Sequence, residues 1–358
     1  MRGGTVMMKL VLWLMALAFA VCLPAMLQAD TARLRYDTAM DLAATDPAAA
    51  FRMIEALAQQ GDARAMDRLG HFHVAGIGTA PDLHAAITQF RRAVAHGRTR
   101  SQLPLGANLL RAGDADGARA ALQAATTADI PGAAATLAWA HATHAFGATS
   151  DAGAGLATLT TLAHGGDRIA QLRLVALVAK TGAEVAGLDA VLTALDARAM
   201  TGDMRAAETL LVYLRKRGHP RHDLAQRQRL LALPGLRTKA AVEEGLHIAA
   251  RTHGSRFWTV SEDIVNDAPA DLYARGLLTT YKINKNAYVR LLQKDLRALG
   301  YAPGRASGYL TSKTINAFTE FCRDRGISSA CRRGPLNWVA LQAATRALAQ
   351  SRVPSEGA

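Results

Sequence analysis

A small residue followed four positions later by leucine recurs six times along this chain: Ala65/Leu69, Ser101/Leu105, Ala133/Leu137, Ala170/Leu174, Ala206/Leu210 and Val242/Leu246. Each pair lies four and eight residues after the start of a repeated phrase. The phrase is clearest as Gly61-Asp62-Ala63-Arg64-Ala65, Gly166-Asp167-Arg168-Ile169-Ala170 and Gly202-Asp203-Met204-Arg205-Ala206, with weaker copies starting at Gly97, Asp129 and Thr238. Successive starts are separated by 36, 32, 37, 36 and 36 residues. Positions one turn apart share a helical stripe, so each copy predicts a helix with a leucine anchor and a small neighbour that admits the next helix. A fixed period of this length predicts stacked helical hairpins.

Fifteen residues before the phrase starts stand Asp46, Asp82, Asp114, Asp151 and Asp223, with Gly187 in the remaining copy. An acid there predicts the N-cap or first turn of the second helix, where it accepts from orphan amides and complements the dipole. The best copy adds Gly76-Ile77-Gly78 as the corner between its helices, where glycine takes positive φ at little cost. Its second helix then carries Ala86, Phe90, Ala93 and Val94 and runs to His96-Gly97.

From Ala287 the pattern changes. Leu291, Leu292, Leu296 and Leu299 recur at helical spacing and stop at Gly300. A turn-rich loop, residues 302–308, precedes a helix starting near Thr311 or Ser312 with Ile315, Phe318 and Phe321. A third helix opens after Pro335 with Leu336, Trp338 and Leu341. Phe318, Phe321 and Trp338 are the expected core. Between the two patterns, residues 251–286 carry Phe257, Trp258, Tyr273 and Tyr281, expected as a capping hairpin over the last repeat, with a partner groove as the alternative.

Two resemblances follow from these residues. The run Ala63, Arg64, Ala65, Leu69-Gly70, Gly76, Gly78, Asp82, Ala86, Phe90, Ala93 and Gly97 is similar to the Sel1-like repeat; the likeness spans about residues 46–250 and weakens outside the copy at 61–97. It implies a right-handed α-solenoid that scaffolds protein complexes and brings no catalytic residues. The tail resembles the three-helix peptidoglycan-binding domain through Leu292-Gln293, Leu296, Leu299-Gly300-Tyr301, Gly304, Gly308-Tyr309, Thr314, Ala317-Phe318, Phe321 and residues 337–341. It departs where Ser307 replaces an Asp, Thr311 a Gly and Cys322 a Gln. The expected fold class is therefore all-α, a solenoid of hairpins followed by a small three-helix domain. The divisions fall at a signal segment 1–29, a solenoid 30–250, capping or linker helices 251–286, the C-terminal domain 287–350 and a disordered tail 351–358.

Arg2 and Lys9 precede an uncharged run from Leu10 to Ala29, the layout of a secretory signal cut after Ala29; retention of the run as an anchor is the alternative. An exported chain, expected in the periplasm, pairs its cysteines, so Cys322 and Cys331 are expected as a disulfide that contributes about 2–3 kcal/mol; a metal pair would need further ligands. The net charge is +13, and +11 once Arg2 and Lys9 leave with the signal. With export, that balance favours anionic envelope polymers over nucleic acid. Arg215, Lys216, Arg217 and Arg221, with His219, His222, Arg227 and Arg229, form the densest basic cluster, read as a solvated helix end or as a patch for an acidic glycan.

Candidate ligand contacts in the tail are Tyr301 and Tyr309 for stacking or hydroxyl bonding, and Arg305 and Lys313 for a stem-peptide carboxylate. His141/His144 and His219/His222 lack a third metal ligand, His71 and His73 point to different faces, and a helix splays Glu243 from Glu244. No cofactor, metal or catalytic set is expected. The functional expectation is a non-enzymatic periplasmic scaffold that binds partner proteins through its hairpins and peptidoglycan through its tail, with membrane contact only through the signal segment. The alternatives are a regulator of exopolysaccharide production and an accessory to a wall hydrolase.

Overall fold

The computed structural model describes residues 31–217, 223–236 and 238–352; the expected signal segment 1–29, together with His219, Arg221 and His222, lies outside the described residues. Every regular element among the described residues is helical. The contacts divide the chain into two compact units, one through Ala170 and one from Gln171.

In the first unit, α1 occupies residues 31–42. It is followed by α2 (Pro47–Gln59), α3 (Ala63–Ala75), α4 (Leu83–Ala95), α5 (Gln102–Ala112), α6 (Ala115–Thr127), α7 (Ala133–Ala142) and α8 (Ala152–His164). From α2 to α8 each helix packs chiefly on its sequence neighbours, the arrangement of stacked hairpins. The period reappears as bonds one repeat apart. Arg92 donates to the carbonyl of Ala58 at 3.2 Å, Ser101 Oγ donates to Asp67 at 2.6 Å, and Arg68 donates to the Tyr36 hydroxyl at 3.1 Å.

The stripe explains the packing. Ala65, Ser101, Ala133, Ala170, Ala206 and Val242 are all buried, as are Leu69, Leu105, Leu174, Leu210 and Leu246. Eight residues into the partner helices come Ile54, Phe90, Leu122, Leu159 and Leu195, each fully buried. The close approaches are explicit: a Cβ on Gly70 would lie 2.7 Å from the Phe90 ring, and one on Gly106 would lie 2.6 Å from Leu122. Leu137 departs from the pattern and is only half-buried. Here α7 and α8 meet so closely at Gly155 that a Cβ would fall 2.5 Å from the amide nitrogen of Ala142 and 2.7 Å from the carbonyl oxygen of Ala138. The contact spine therefore runs through Ala138, and Leu137 lines a cavity of about 200 Å³.

The acids cap as their spacing predicts. Asp46, Asp82, Asp114 and Asp151 each accept from the amide three residues on, at 2.9 Å. Asp62 and Asp167 cap first helices in the same way, at 3.0 and 2.7 Å. Caps of this kind stabilise a helix by about 1 kcal/mol each. Asp223 makes no side-chain cap bond, and Gly187 holds its place in the left-handed region. At the corner of the best copy, Gly78 (φ +70°) sits where a Cβ would collide with the backbone of Pro47.

The second unit contains most of α9 (Arg168–Thr181) and then α10 (Leu188–Met200), α11 (Met204–Arg217), α12 (Leu224–Leu231), α13 (Lys239–Thr252), α14 (Phe257–Asn266) and α15 (Ala270–Ile283). It ends with α16 (Lys285–Ala298), α17 (Ser312–Asp324), the short α18 (Ser328–Cys331) and α19 (Trp338–Gln350). The last helices do not form a core of their own. Val242 and Leu246 of the final repeat copy, Val265, Tyr273 and Leu277 of the expected capping hairpin, and Tyr288, Phe318, Phe321 and Leu341 all belong to one buried cluster. That core crosses positions 250/251 and 286/287 without a break. Residue 352 likewise differs from the disordered tail expected from 351 onward: Arg352 bonds Asn266 at 3.0 Å and Asp295 at 3.3 Å and lies over the Tyr273 ring.

Leu69→Ala removes a fully enclosed anchor, with an expected loss of about 2–5 kcal/mol in equilibrium denaturation. A change within error would mean that the stripe does not carry the stack.

Candidate functional site

The loop between α16 and α17 is built from inside outward. Gln293, buried on α16, accepts from the Gly308 amide at 3.0 Å and donates to the Tyr309 carbonyl and to Thr314 Oγ1, both at 3.0 Å. Thr314 in turn donates to the Pro303 carbonyl at 3.0 Å. Arg290 adds a bond to the Ala306 carbonyl at 2.7 Å. These bonds satisfy the buried polar groups of the turn and fix its outer face. Gly308 (φ +77°) lies against Trp258 and the Asn286 backbone, which leave no room for a Cβ.

That scaffold presents Tyr309, which is 64 % exposed with its ring 6.5 Å from Trp258, beside the exposed Leu310 and Ile315. Arg305 and Lys313 are also exposed, and the Lys313 side chain lies along Gly304. Tyr301 is placed differently. Its hydroxyl donates to Asp324 at 3.0 Å and its ring meets Phe321 edge-on at 5.9 Å. Burial and the Asp324 carboxylate both push its phenol up, and the hydroxyl and ring contacts both tie it to α17. Trp258, outside the span of the tail resemblance, is the contributor that sequence reasoning missed.

Cys322 and Cys331 are joined in a disulfide that ties α18 to α17, and both sulfur-bearing residues are buried. Trp338, expected in the core beside Phe318 and Phe321, is 41 % exposed, whereas those two are buried. Tyr281 occupies the place beneath it. Its hydroxyl donates to the Leu336 carbonyl at 2.9 Å and its ring packs on Tyr288, so Trp338 lies on the outside of Tyr281 with centroids 6.4 Å apart.

Three arginines of the basic cluster have acidic partners. Arg215 bonds Glu243 at 2.7 Å, Arg275 reaches the other oxygen of the same carboxylate at 2.5 Å, and Arg229 bonds Asp196 at 2.6 Å. Burial raises the Glu243 pKa, but the two guanidiniums together outweigh it and hold the carboxyl below the ordinary range. Arg227 is buried and ion-paired with the fully buried Glu244, whose pKa is raised because burial outweighs the neighbouring arginines. Glu243 and Glu244 thus face different partners, as a helix requires. Lys216 and Arg217 remain exposed, with the Arg217 guanidinium against Gly182; Arg221 lies outside the described residues.

The histidines are occupied singly. His141 Nδ1 accepts from the Asp151 amide at 3.1 Å, while His144 stands beyond the end of α7 at φ +56°. His71 meets Phe90 edge-on and His73 meets Phe51. Among the described residues no three His, Cys, Asp or Glu side chains converge as metal ligands.

No protein-family model matches the chain, and no curated protein matches it either. Among solved structures, a protective antigen present in uropathogenic Escherichia coli strains and displaying an SLR fold is similar over 87% of this chain and 69% of that one, at 15% identity and a TM-score of 0.35. A superposition that loose carries no argument, and the hairpin fold stands on the helices, caps and buried stripes described above.

The Arg227–Glu244 pair yields a two-part expectation. Glu244→Ala alone strands a buried guanidinium and costs about 3–5 kcal/mol, whereas Arg227→Leu with Glu244→Leu is close to neutral. Urea denaturation of the two variants measures the difference, and equal losses would contradict the pairing.

Proposed function

We propose that the chain is an exported, non-enzymatic adaptor that holds a partner protein along its helical hairpins and attaches to peptidoglycan in the periplasm through Arg305, Tyr309 and Lys313. The observation that carries the tether is the exposed Tyr309 beside Trp258 on a turn pinned by Gln293 and Thr314. A rigid aromatic with flanking cations suits a polymer of sugars bearing peptide carboxylates. Stacked hairpins, whose small-and-leucine stripes are used up in packing, leave outward faces free for a protein partner. Export rests on the charged start and uncharged run of residues 2–29. A regulator of exopolysaccharide reading the basic cluster has less to stand on, since Arg215, Arg227 and Arg229 each have an acidic partner.

The tether is best tested by point substitution. Truncation near Lys285 would remove most of the buried cluster that also holds Val242, Tyr273 and Leu277, and so would strip the packing from the helices that carry them. In a pulldown with purified insoluble sacculi, Arg305→Ala/Tyr309→Ala/Lys313→Ala is expected to weaken binding by about tenfold or more, with helicity unchanged, from the loss of one aromatic contact and two charged bonds. Undiminished binding by this variant would remove the tail as the attachment point.

A further inference from the structure

A second surface of the same unit has no place in that reading. Trp338 and Val339, at the start of α19, are 41 % and 59 % exposed. Lys282 Nζ stands 5.3 Å from the centre of the Trp338 ring, and Lys285 Nζ stands 5.8 Å from that of Tyr281, on which Trp338 lies. On the other side, Arg332, Arg333, Asn337 and Val339 line an open cavity of about 460 Å³ that no acid borders. Lys282, Lys285, Arg332 and Arg333 are exposed, and none makes an ion pair among the described residues. The charge asymmetry is built into the sequence: residues 272–294 and 325–352, which come together here, contain no Asp or Glu.

We infer that the start of α19 and the end of α15 form an anchor for an anionic phospholipid surface, in which Trp338 and Val339 enter the headgroup layer while Lys282, Lys285, Arg332 and Arg333 meet lipid phosphates. An amphipathic ring beside a bare aliphatic side chain, ringed by unpaired cations, has the composition of an interfacial anchor. Stacking on a neutral sugar would make no use of four cations, and Lys282 and Tyr281 already lie against the indole. An acidic protein segment would use the charges but gains little from the exposed Trp338 and Val339. The disulfide fits the same reading, because Cys331 immediately precedes Arg332-Arg333 and ties that turn to α17. The anchor is independent of Arg305, Tyr309 and Lys313, so it stands or falls apart from the peptidoglycan tether.

Co-sedimentation of the full chain with phosphatidylglycerol/phosphatidylcholine vesicles tests it, with pure phosphatidylcholine vesicles reporting any binding by the apolar N-terminal run. Binding to the anionic vesicles is expected to exceed that baseline and to fall with salt. Arg332→Gln/Arg333→Gln is expected to lower the anionic partition about 25-fold, at about fivefold per cation, and Trp338→Ser/Val339→Ser is expected to lower it as well, with the phosphatidylcholine baseline unchanged. Should the arginine pair prove misfolded by circular dichroism, Lys282→Gln/Lys285→Gln removes two solvent-exposed charges and carries the same expectation. Wild-type binding no greater than baseline, or variants that bind like wild type, would overturn the assignment. So would variants that keep vesicle binding but lose binding to polyglutamate, which would make the surface an acidic-peptide site.

Discussion

The fold depends on one constraint: neighbouring helices must approach closely enough for a large side chain of one to rest on a glycine or alanine of the other. Phe90 on Gly70 and Leu122 on Gly106 are two instances of it, and at Gly155 the α7 backbone itself takes that place. At such distances dispersion contacts are dense and water is excluded from the contact, which is how helices of about thirteen residues with modest intrinsic stability hold together. The capping aspartates then set where each helix begins, and so fix which residues the stripe presents. Bonds such as Ser101 to Asp67 and Arg92 to Ala58 link one repeat to the next.

Much of this was legible because it is local and periodic. Ala65 and Leu69 reveal their burial by recurring at one-turn spacing, and Asp82 reveals its cap by standing just before an apolar run. The failures occur where packing is decided by residues far away in sequence. Leu137 obeys the pattern, yet Gly155 draws α8 onto Ala138 and leaves the leucine half-buried. Trp338 lies on the apolar side of its helix, but Tyr281, 57 positions earlier, takes the interior place. Arg227 reads as one more cation in a basic run, and only its ion pair with Glu244 accounts for its burial. The boundary placed at 286/287 follows a real change in sequence pattern, but a change in pattern does not break a core that Tyr273, Tyr288 and Leu341 share.

The candidate site was legible in part for the same reasons. The loop carrying Arg305 and Tyr309 was recognisable from its glycines and from the residues around it. The network that holds it could be seen only once Gln293 and Thr314 were brought together, and Trp258 comes from a helix outside the pattern altogether. Conversely, Tyr301 looked like Tyr309 in sequence, whereas its hydroxyl is spoken for by Asp324. Charge was the least readable property. Within the densest basic run Arg215, Arg227 and Arg229 are paired with acids, while the sparse cations around Trp338 are not.

The most direct test of the packing constraint is a comparison of two alanine substitutions in α8 by equilibrium denaturation. At Gly153, where an added Cβ meets only Asp151 at 3.6 Å, alanine is expected to stabilise by up to about 1 kcal/mol through helix propensity. At Gly155, where the same Cβ would fall 2.5 Å from the backbone of α7, alanine is expected to destabilise by about 1–3 kcal/mol despite that propensity gain. If Gly155→Ala stabilised the protein as Gly153→Ala does, close helix approach would not be what holds the hairpins together.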